Sequence, residues 1–406
     1  MKPITQSRKL ADVRYDVRGP ILVEAQRLEA EGHRILKLNI GNPAPFGFEA
    51  PSEIVSAMVH ELPDAQGYSD SRGIYPARTA VAQYYQQRGL TDVAVDDVFI
   101  GNGVSEMISL VLQAFIDTGN EILVPAPDYP LWTGAVTLAG GRAVHYRCDE
   151  DNGWMPDLDD IEARITPATK ALVIINPNNP TGAVYSAEMV RALVDIARRH
   201  ELTLMSDEIY EKILYDDAVH HHTASFAGDD VFCLTFSGLS KAYRVAGYRS
   251  GWVVATGPRY LAADFLEGLT LLANMRMCAN VPGQHAIQTA LGGRQSINDL
   301  LLPSGRLLEQ RNTAHELLSA IPGVSCVKPM GALYCFPRLD PEVYPIDDDQ
   351  AFAIELLRAT KILITHGTGF NWPSPDHFRL VTLPSVDDLT EALGRIGEYL
   401  ASIART

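Results

Sequence analysis

The sequence predicts an α/β fold in which a mostly parallel central sheet forms a large domain and a smaller α+β domain follows. Three observations lead there. Short apolar runs such as Lys170-Ala-Leu-Val-Ile-Ile175 and Val231-Phe-Cys-Leu-Thr-Phe236 alternate with helical patterns, and strands without polar interruption need cover on both faces. The 406 residues, 46% hydrophobic, suffice for one large core and a second, smaller one. Polar, turn-forming segments repeatedly follow the apolar runs, which is where α/β proteins bind ligands.

In chain order, Tyr15-Asp-Val-Arg18-Gly-Pro20 leads into a helix over 21–30 that Gly32 stops. Alternation over 35–40 predicts a strand running into Gly41-Asn-Pro-Ala-Pro45, where Gly41 lets a ligand approach the backbone. A loop containing Tyr68 precedes a helix over 75–88. A strand over 98–101 then feeds Asn102-Gly103-Val104-Ser105-Glu106 and an apolar helix, a turn whose backbone N–H groups suit a phosphate. It is not a dinucleotide fingerprint: Glu106 stands where the third glycine belongs, and no acid follows a second strand at the usual distance.

Further strands are expected over 121–124, 142–146, 170–175, 202–205 and 251–255, with a helix over 186–200 capped by Ser186. From Val281 a long helical pattern runs toward Leu318, and short strand patterns at 324–327, 331–336 and 378–382 make up the smaller domain. The expected division is an N-terminal arm and joining segment over 1–45, a large domain over 46–300 and a small domain over 301–406.

A formal charge of −16 repels nucleic acid and anionic membrane alike, leaving small molecules as the expected ligands. Five scattered cysteines without a C-x-x-C pair suggest reduced thiols, and the first ten residues lack an apolar signal core, so a cytoplasmic protein is expected. The run His220-His221-His222 reads as a solvated loop, and no metal is assigned.

Three strand ends supply polar groups: Asn176-Pro-Asn-Asn179-Pro-Thr-Gly182, Ser206-Asp207-Glu-Ile-Tyr210, and the loop Gly238-Leu-Ser240-Lys241-Ala-Tyr-Arg, which continues to Arg249. In a parallel sheet such ends share one edge, so Asn179, Asp207, Tyr210 and Lys241 can meet one ligand, and a lysine flanked by small residues can form a Schiff base. Individually each has an ordinary reading: Asn-Pro-Thr-Gly is a turn, and Asp207 could cap a helix.

Together these motifs resemble the fold type I aminotransferases that use pyridoxal phosphate, and the likeness runs from Tyr15 to the C-terminal helix. Tyr15-Asp-Val-Arg18-Gly-Pro-Ile and Leu38-Asn-Ile-Gly41-Asn-Pro are most similar to the alanine (glutamate–pyruvate) branch. The resemblance implies that Lys241 carries the cofactor and moves the substrate proton, that Asp207 pairs with the ring nitrogen, and that Asn179 and Tyr210 donate to its phenolic oxygen. It implies that Tyr129 stacks on the ring, and that Val104, Ser105, Ser240 and Arg249 hold the phosphate, with Tyr68 reaching in from a second subunit of a homodimer. Arg379 would fork onto the substrate α-carboxylate beside Asn179 and Gly41, and Arg18 with Tyr15 would read a side-chain carboxylate.

The expected reaction is L-alanine plus 2-oxoglutarate giving pyruvate plus L-glutamate. Transamination of aromatic or branched-chain amino acids, or C–S β-elimination, stands as the alternative. A cofactor-sensing regulator would carry a basic winged-helix segment ahead of the domain, and only about twenty residues precede the first expected helix. Two positions depart from the family pattern: Gly238, where many relatives offer a phosphate-binding serine, leaving Ser240 or Ser237 to serve, and His366-Gly-Thr-Gly-Phe370, to which no role is given.

Overall fold

The structure, a computed structural model, describes residues 3–11, 13 and 19–405. Eight strands form the central sheet in the spatial order Val98–Asn102, Ser250–Thr256, Cys233–Gly238, Thr203–Asp207, Thr169–Ile175, Glu121–Ala126, Arg142–Asp149 and Met155–Pro156. The pairings from Cys233–Gly238 through to Arg142–Asp149 are parallel. Ser250–Thr256 runs antiparallel to both its neighbours, and Met155–Pro156 closes the far edge antiparallel. The continuous apolar runs fall in the middle, where they are covered on both faces: Thr169–Ile175 buries six of its seven residues and Ser250–Thr256 all seven.

Helix ends follow the expected chemistry. Ser186 caps Ala187–Arg199 by accepting from the Met189 N–H at 3.2 Å. Pro20–Ala30 begins on its proline and ends just before Gly32 at φ 92°.

Two expectations change. The alternating segment over 35–40 makes a ladder only at Leu36–Lys37, parallel to Ile362–Leu363. Beyond it the backbone serves other partners: the Asn39 carbonyl accepts from the Arg379 guanidinium, and the Val381 N–H bonds the Leu38 carbonyl at 2.9 Å. The long helical pattern after Val281 breaks into Val281–Gly292, Ile297–Leu301 and Arg306–Ser319, with Gly292-Gly293 ending the first piece and Pro303 and Gly305 lying between the others.

The C-terminal third adds short sheets, Val324–Ser325 with Arg338–Leu339 and Tyr334–Cys335 with Phe378–Val381 and Thr365–His366. Helix Asp349–Thr360 packs against Thr365–His366, and helix Val386–Ile403 packs against Asp349–Thr360 and Arg306–Ser319. Among the described residues no helix is long and apolar enough to cross a membrane.

Candidate active site

The topology brings separate stretches to one sheet edge. Ile175, Asp207 and Gly238 end parallel strands, and because Ser250–Thr256 runs the other way, its start and the preceding Arg249 fall beside Gly238 and Asn102. Every expected site residue except Tyr68, Tyr15 and Arg18 lines one cavity of about 550 Å³ there. Tyr68 is 81% exposed on this subunit, while Tyr15 and Arg18 lie outside the described residues.

Lys241 is half-buried, and its Nζ donates to the Gly41 carbonyl at 2.8 Å. Asp207 lies in the interior at the end of its strand. Its Oδ2 accepts from Trp132 Nε1 at 3.1 Å and its Oδ1 from the Ile209 N–H at 3.3 Å, so it braces a turn and caps no helix. Burial pushes its carboxyl up to about 6 against these two donors.

Tyr210 Oη sits 2.6 Å from Tyr334 Oη. Burial raises the Tyr210 phenol. Burial acts on Tyr334 in the same sense, but the charges of Lys241 and Arg379 and the Tyr210 hydrogen bond leave it below its ordinary value.

Arg379 is fully buried on Phe378–Val381. Its Nη1 donates to Asn179 Oδ1 at 2.8 Å, its Nη2 to the Asn39 carbonyl, and its guanidinium lies 4.4 Å from the Tyr334 ring centroid and 4.5 Å from that of Phe370. This planar cation held by the protein suits a carboxylate.

Val104 and Ser105 open the helix Val104–Phe115, whose N-cap, Gly103, offers no side chain to its N–H groups. Arg249 spends two donors on the carbonyls of Ala246 (2.8 Å) and Asn102 (3.0 Å). A Cβ at position 103 would lie 2.2 Å from Arg249 Nη2, so glycine keeps open a cradle of backbone donors and one guanidinium. That donor set fits a phosphate. Gly238 has its own cause: a Cβ there would come within 2.7 Å of the Ser250 carbonyl, so the sheet excludes a serine. Ser237 is buried in the strand, whereas Ser240 lines the cavity.

The protein matches the family model for aminotransferase class I and II over residues 33–396. The chain belongs to that family. It is 63% identical to the alanine aminotransferase of Mycobacterium tuberculosis (strain ATCC 25618 / H37Rv) over 402 residues, 99% of this chain and 94% of the other. It is 60% identical to the glutamate-pyruvate aminotransferase AlaA of Escherichia coli (strain K12), covering 99% of each chain. A solved aminotransferase from Escherichia coli superposes with a TM-score of 0.98 at 59% identity over the whole of both chains. The protein is therefore an aminotransferase with the fold of that family, and pyridoxal phosphate is typical of the family.

Three participants in this aminotransferase cleft escaped the sequence reading. Tyr334 lay inside Gly331-Ala-Leu-Tyr-Cys-Phe336, legible only as a strand; Trp132 follows Tyr129 by three residues without any motif of its own; Asn39 acts through its backbone. The histidine run was also misread as solvated. The side chains of His220 and His222 are only 5% and 12% exposed, because they fold inward onto Glu208.

Proposed function

We propose that this aminotransferase interconverts L-alanine plus 2-oxoglutarate and pyruvate plus L-glutamate, with pyridoxal 5′-phosphate held as a Schiff base by Lys241. The observation that carries the reading is the convergence of Lys241, Asp207, Asn179, Tyr210, Arg249 and Arg379 on one cavity. The names of the relatives, alanine aminotransferase and glutamate-pyruvate aminotransferase, support the substrate pair. When bound, the cofactor supplies an electron sink for the pair released as the substrate Cα–H bond breaks.

The chain's own groups do the rest. Lys241 Nζ would take the proton from the substrate Cα and hold it as the ammonium until it is given back. Asp207, kept dry and braced by Trp132, would give a pyridinium nitrogen its anionic partner. Asn179 and Tyr210 would donate to the phenolic oxygen, and Tyr129 would stack on the ring. The N–H groups at Val104 and Ser105, the Ser240 hydroxyl and Arg249 would hold the phosphate, and Arg379 with Asn179 and Gly41 would take the α-carboxylate. Arg18 and Tyr15 are assigned the distal carboxylate of glutamate: replacing Arg18 with alanine should raise KM for glutamate far more than for alanine, and equal effects would refute the assignment.

We assign the active form as a homodimer in which Tyr68 completes the partner's phosphate site. Exposed Tyr68, Leu271, Met275 and Met277 supply an apolar face for it. The division at residues 45 and 300 and a cytoplasmic location belong to the same reading, the latter in keeping with five free thiols.

The test is to add amino acids one at a time to protein loaded with pyridoxal phosphate and follow loss of the visible band. Alanine and glutamate are expected to bleach it fastest, and pyruvate or 2-oxoglutarate to restore it. Faster bleaching by aromatic or branched-chain amino acids overturns the substrate pair, and a protein that stays colourless overturns the whole reading.

A further inference from the structure

Directly behind the cleft, where Glu208 follows Asp207, four side chains turn toward one point. We propose that Glu208, Glu211, His220 and His222 form a divalent-cation site of the structural zinc type. One ligand atom from each lies within 4.8 Å of all the others.

The two carboxylates are prepared alike. Glu208 Oε1 accepts from Ser206 Oγ at 2.9 Å and from the Thr223 N–H at 3.0 Å, while Glu211 Oε1 accepts from Tyr84 Oη at 2.6 Å. Each acid is thus anchored through one oxygen and presents the other to the histidines: Glu208 Oε2 to His222 Nδ1 at 2.6 Å and His220 Nε2 at 3.2 Å, Glu211 Oε2 to His222 Nε2 at 3.5 Å. Hydrogen bonds that fix the far atom of a ligand are what a metal centre requires of its surroundings.

His220 supplies the second, independent observation. Its side chain is 95% buried at 5% exposure, yet neither ring nitrogen completes a hydrogen bond, and the ring stands edge-on to His222 at 4.8 Å. Its Nε2 reaches Glu208 Oε2 at 3.2 Å without hydrogen-bond geometry; a buried imidazole left so is costly, and a metal ion takes a ring lone pair directly.

Charge and geometry agree. Two imidazoles and two carboxylates balance a divalent ion, and tetrahedral zinc with bonds of about 2.0–2.2 Å needs donors about 3.4 Å apart; the ligand atoms here lie within 4.8 Å of one another, so the widest pair would close by up to about 1.4 Å while the Glu208 Oε2–His222 Nδ1 contact of 2.6 Å would open. The nearest cations, Arg88 and Lys212, stack on the Tyr84 ring at 3.4 and 5.0 Å and leave the inner oxygens to the histidines. Bound there, the ion staples the loop carrying His220 and His222 to the strand end that presents Asp207.

The experiment uses the untagged holoenzyme, stripped with a chelator, given zinc or cobalt and desalted. Wild type is expected to retain about one ion per protomer, to show the intense visible absorption of four-coordinate cobalt, and to melt at a higher temperature with zinc. Glu211→Gln and His222→Ala are expected to lose at least about tenfold in affinity together with the cobalt spectrum. Retention below about a tenth of an ion in wild type, or equal retention in the variants, overturns the proposal. So does metal-free protein whose stability depends on protonating a histidine but gains nothing from zinc, since a proton on His222 would then be bridging the carboxylates. None of these readouts depends on transamination, so a failure here leaves the proposed reaction untouched.

Discussion

Replacing Asp207 with asparagine should make the cofactor-free protein more stable while disabling it. The structure holds this carboxyl in the interior, where burial moves it from 3.8 to about 6. An acid whose folded value is raised binds its proton more tightly when folded, so stability falls as pH rises through the window from about 4 to about 6 and stays low above it. At about 1.4 kcal/mol per pH unit the buried charge costs about 3 kcal/mol at pH 8 and roughly half of that at pH 5. Asparagine carries no charge and keeps an oxygen for the Trp132 N–H at 3.1 Å, but its amide nitrogen faces the Ile209 N–H, and losing that 3.3 Å bond takes back about 1 kcal/mol at either pH. The assay is equilibrium unfolding in urea of wild type and Asp207→Asn, both freed of cofactor, at pH 5 and pH 8. The variant should lead at both values, by about 2 kcal/mol at the higher pH and markedly less at the lower. An advantage that is absent, or that does not grow with pH, would show that Asp207 is solvated or paired and defeat the argument that burial poises it for a cationic ring nitrogen. Turnover of the loaded variant should fall even though its fold is sturdier.

Trp132→Phe removes a donor to the ionised form, so in the same urea assay it should cost about 1.5–3 kcal/mol at pH 8 and less at pH 5, where more of Asp207 is protonated. Lys241→Ala should abolish covalent capture: borohydride treatment adds the reduced cofactor's mass to wild type and nothing to the variant, as intact-mass spectrometry reports. Arg379→Lys keeps the charge but loses the fork held by Asn179 and Asn39. KM should rise at least about tenfold for every amino acid tested, and a rise confined to one substrate would place Arg379 at the side-chain end instead.

What could be read beforehand followed from how directly residue order dictates space. Strands buried on both faces leave an unmistakable apolar run, so 170–175 was recognisable almost to its ends, and the carboxyl edge then grouped Asn179, Asp207, Tyr210 and Lys241 without further information. Segments whose backbone bonds serve side chains were harder. The alternation over 35–40 breaks at Leu38 and Asn39, which are both buried, because from Asn39 onward the chain supports Arg379 instead of extending a ladder, and no local pattern announces a partner 340 residues away. Adjacent histidines in a loop are equally mute: their burial depends on Glu208 and Glu211, which sit in the motif that also carries Asp207 and Tyr210 and were absorbed into that reading.

The origin of each group separates two tasks within the cleft. Asp207, Lys241 and Arg249 come from a stretch between the fourth and second strands of one sheet, whose ladder fixes their spacing whatever the rest of the chain does. Arg379 and Tyr334 stand on neighbouring strands of a different, three-stranded sheet, and Arg379 is tied both to Asn179 after a central strand and to Asn39 beside the Leu36–Lys37 ladder. The proposed carboxylate receptor is thus the point where three segments distant in sequence meet, with Arg379 oriented by hydrogen bonds before any substrate arrives, so little freedom remains to be lost on binding. Changes in the packing of the C-terminal third should therefore act on every substrate through the shared α-carboxylate, and they reach Tyr210 as well through its 2.6 Å contact with Tyr334. Relatives that share the sheet-end residues and Arg379 but act on different amino acids should therefore differ mainly in the segment carrying Tyr15 and Arg18, which is proposed to read the substrate's far end.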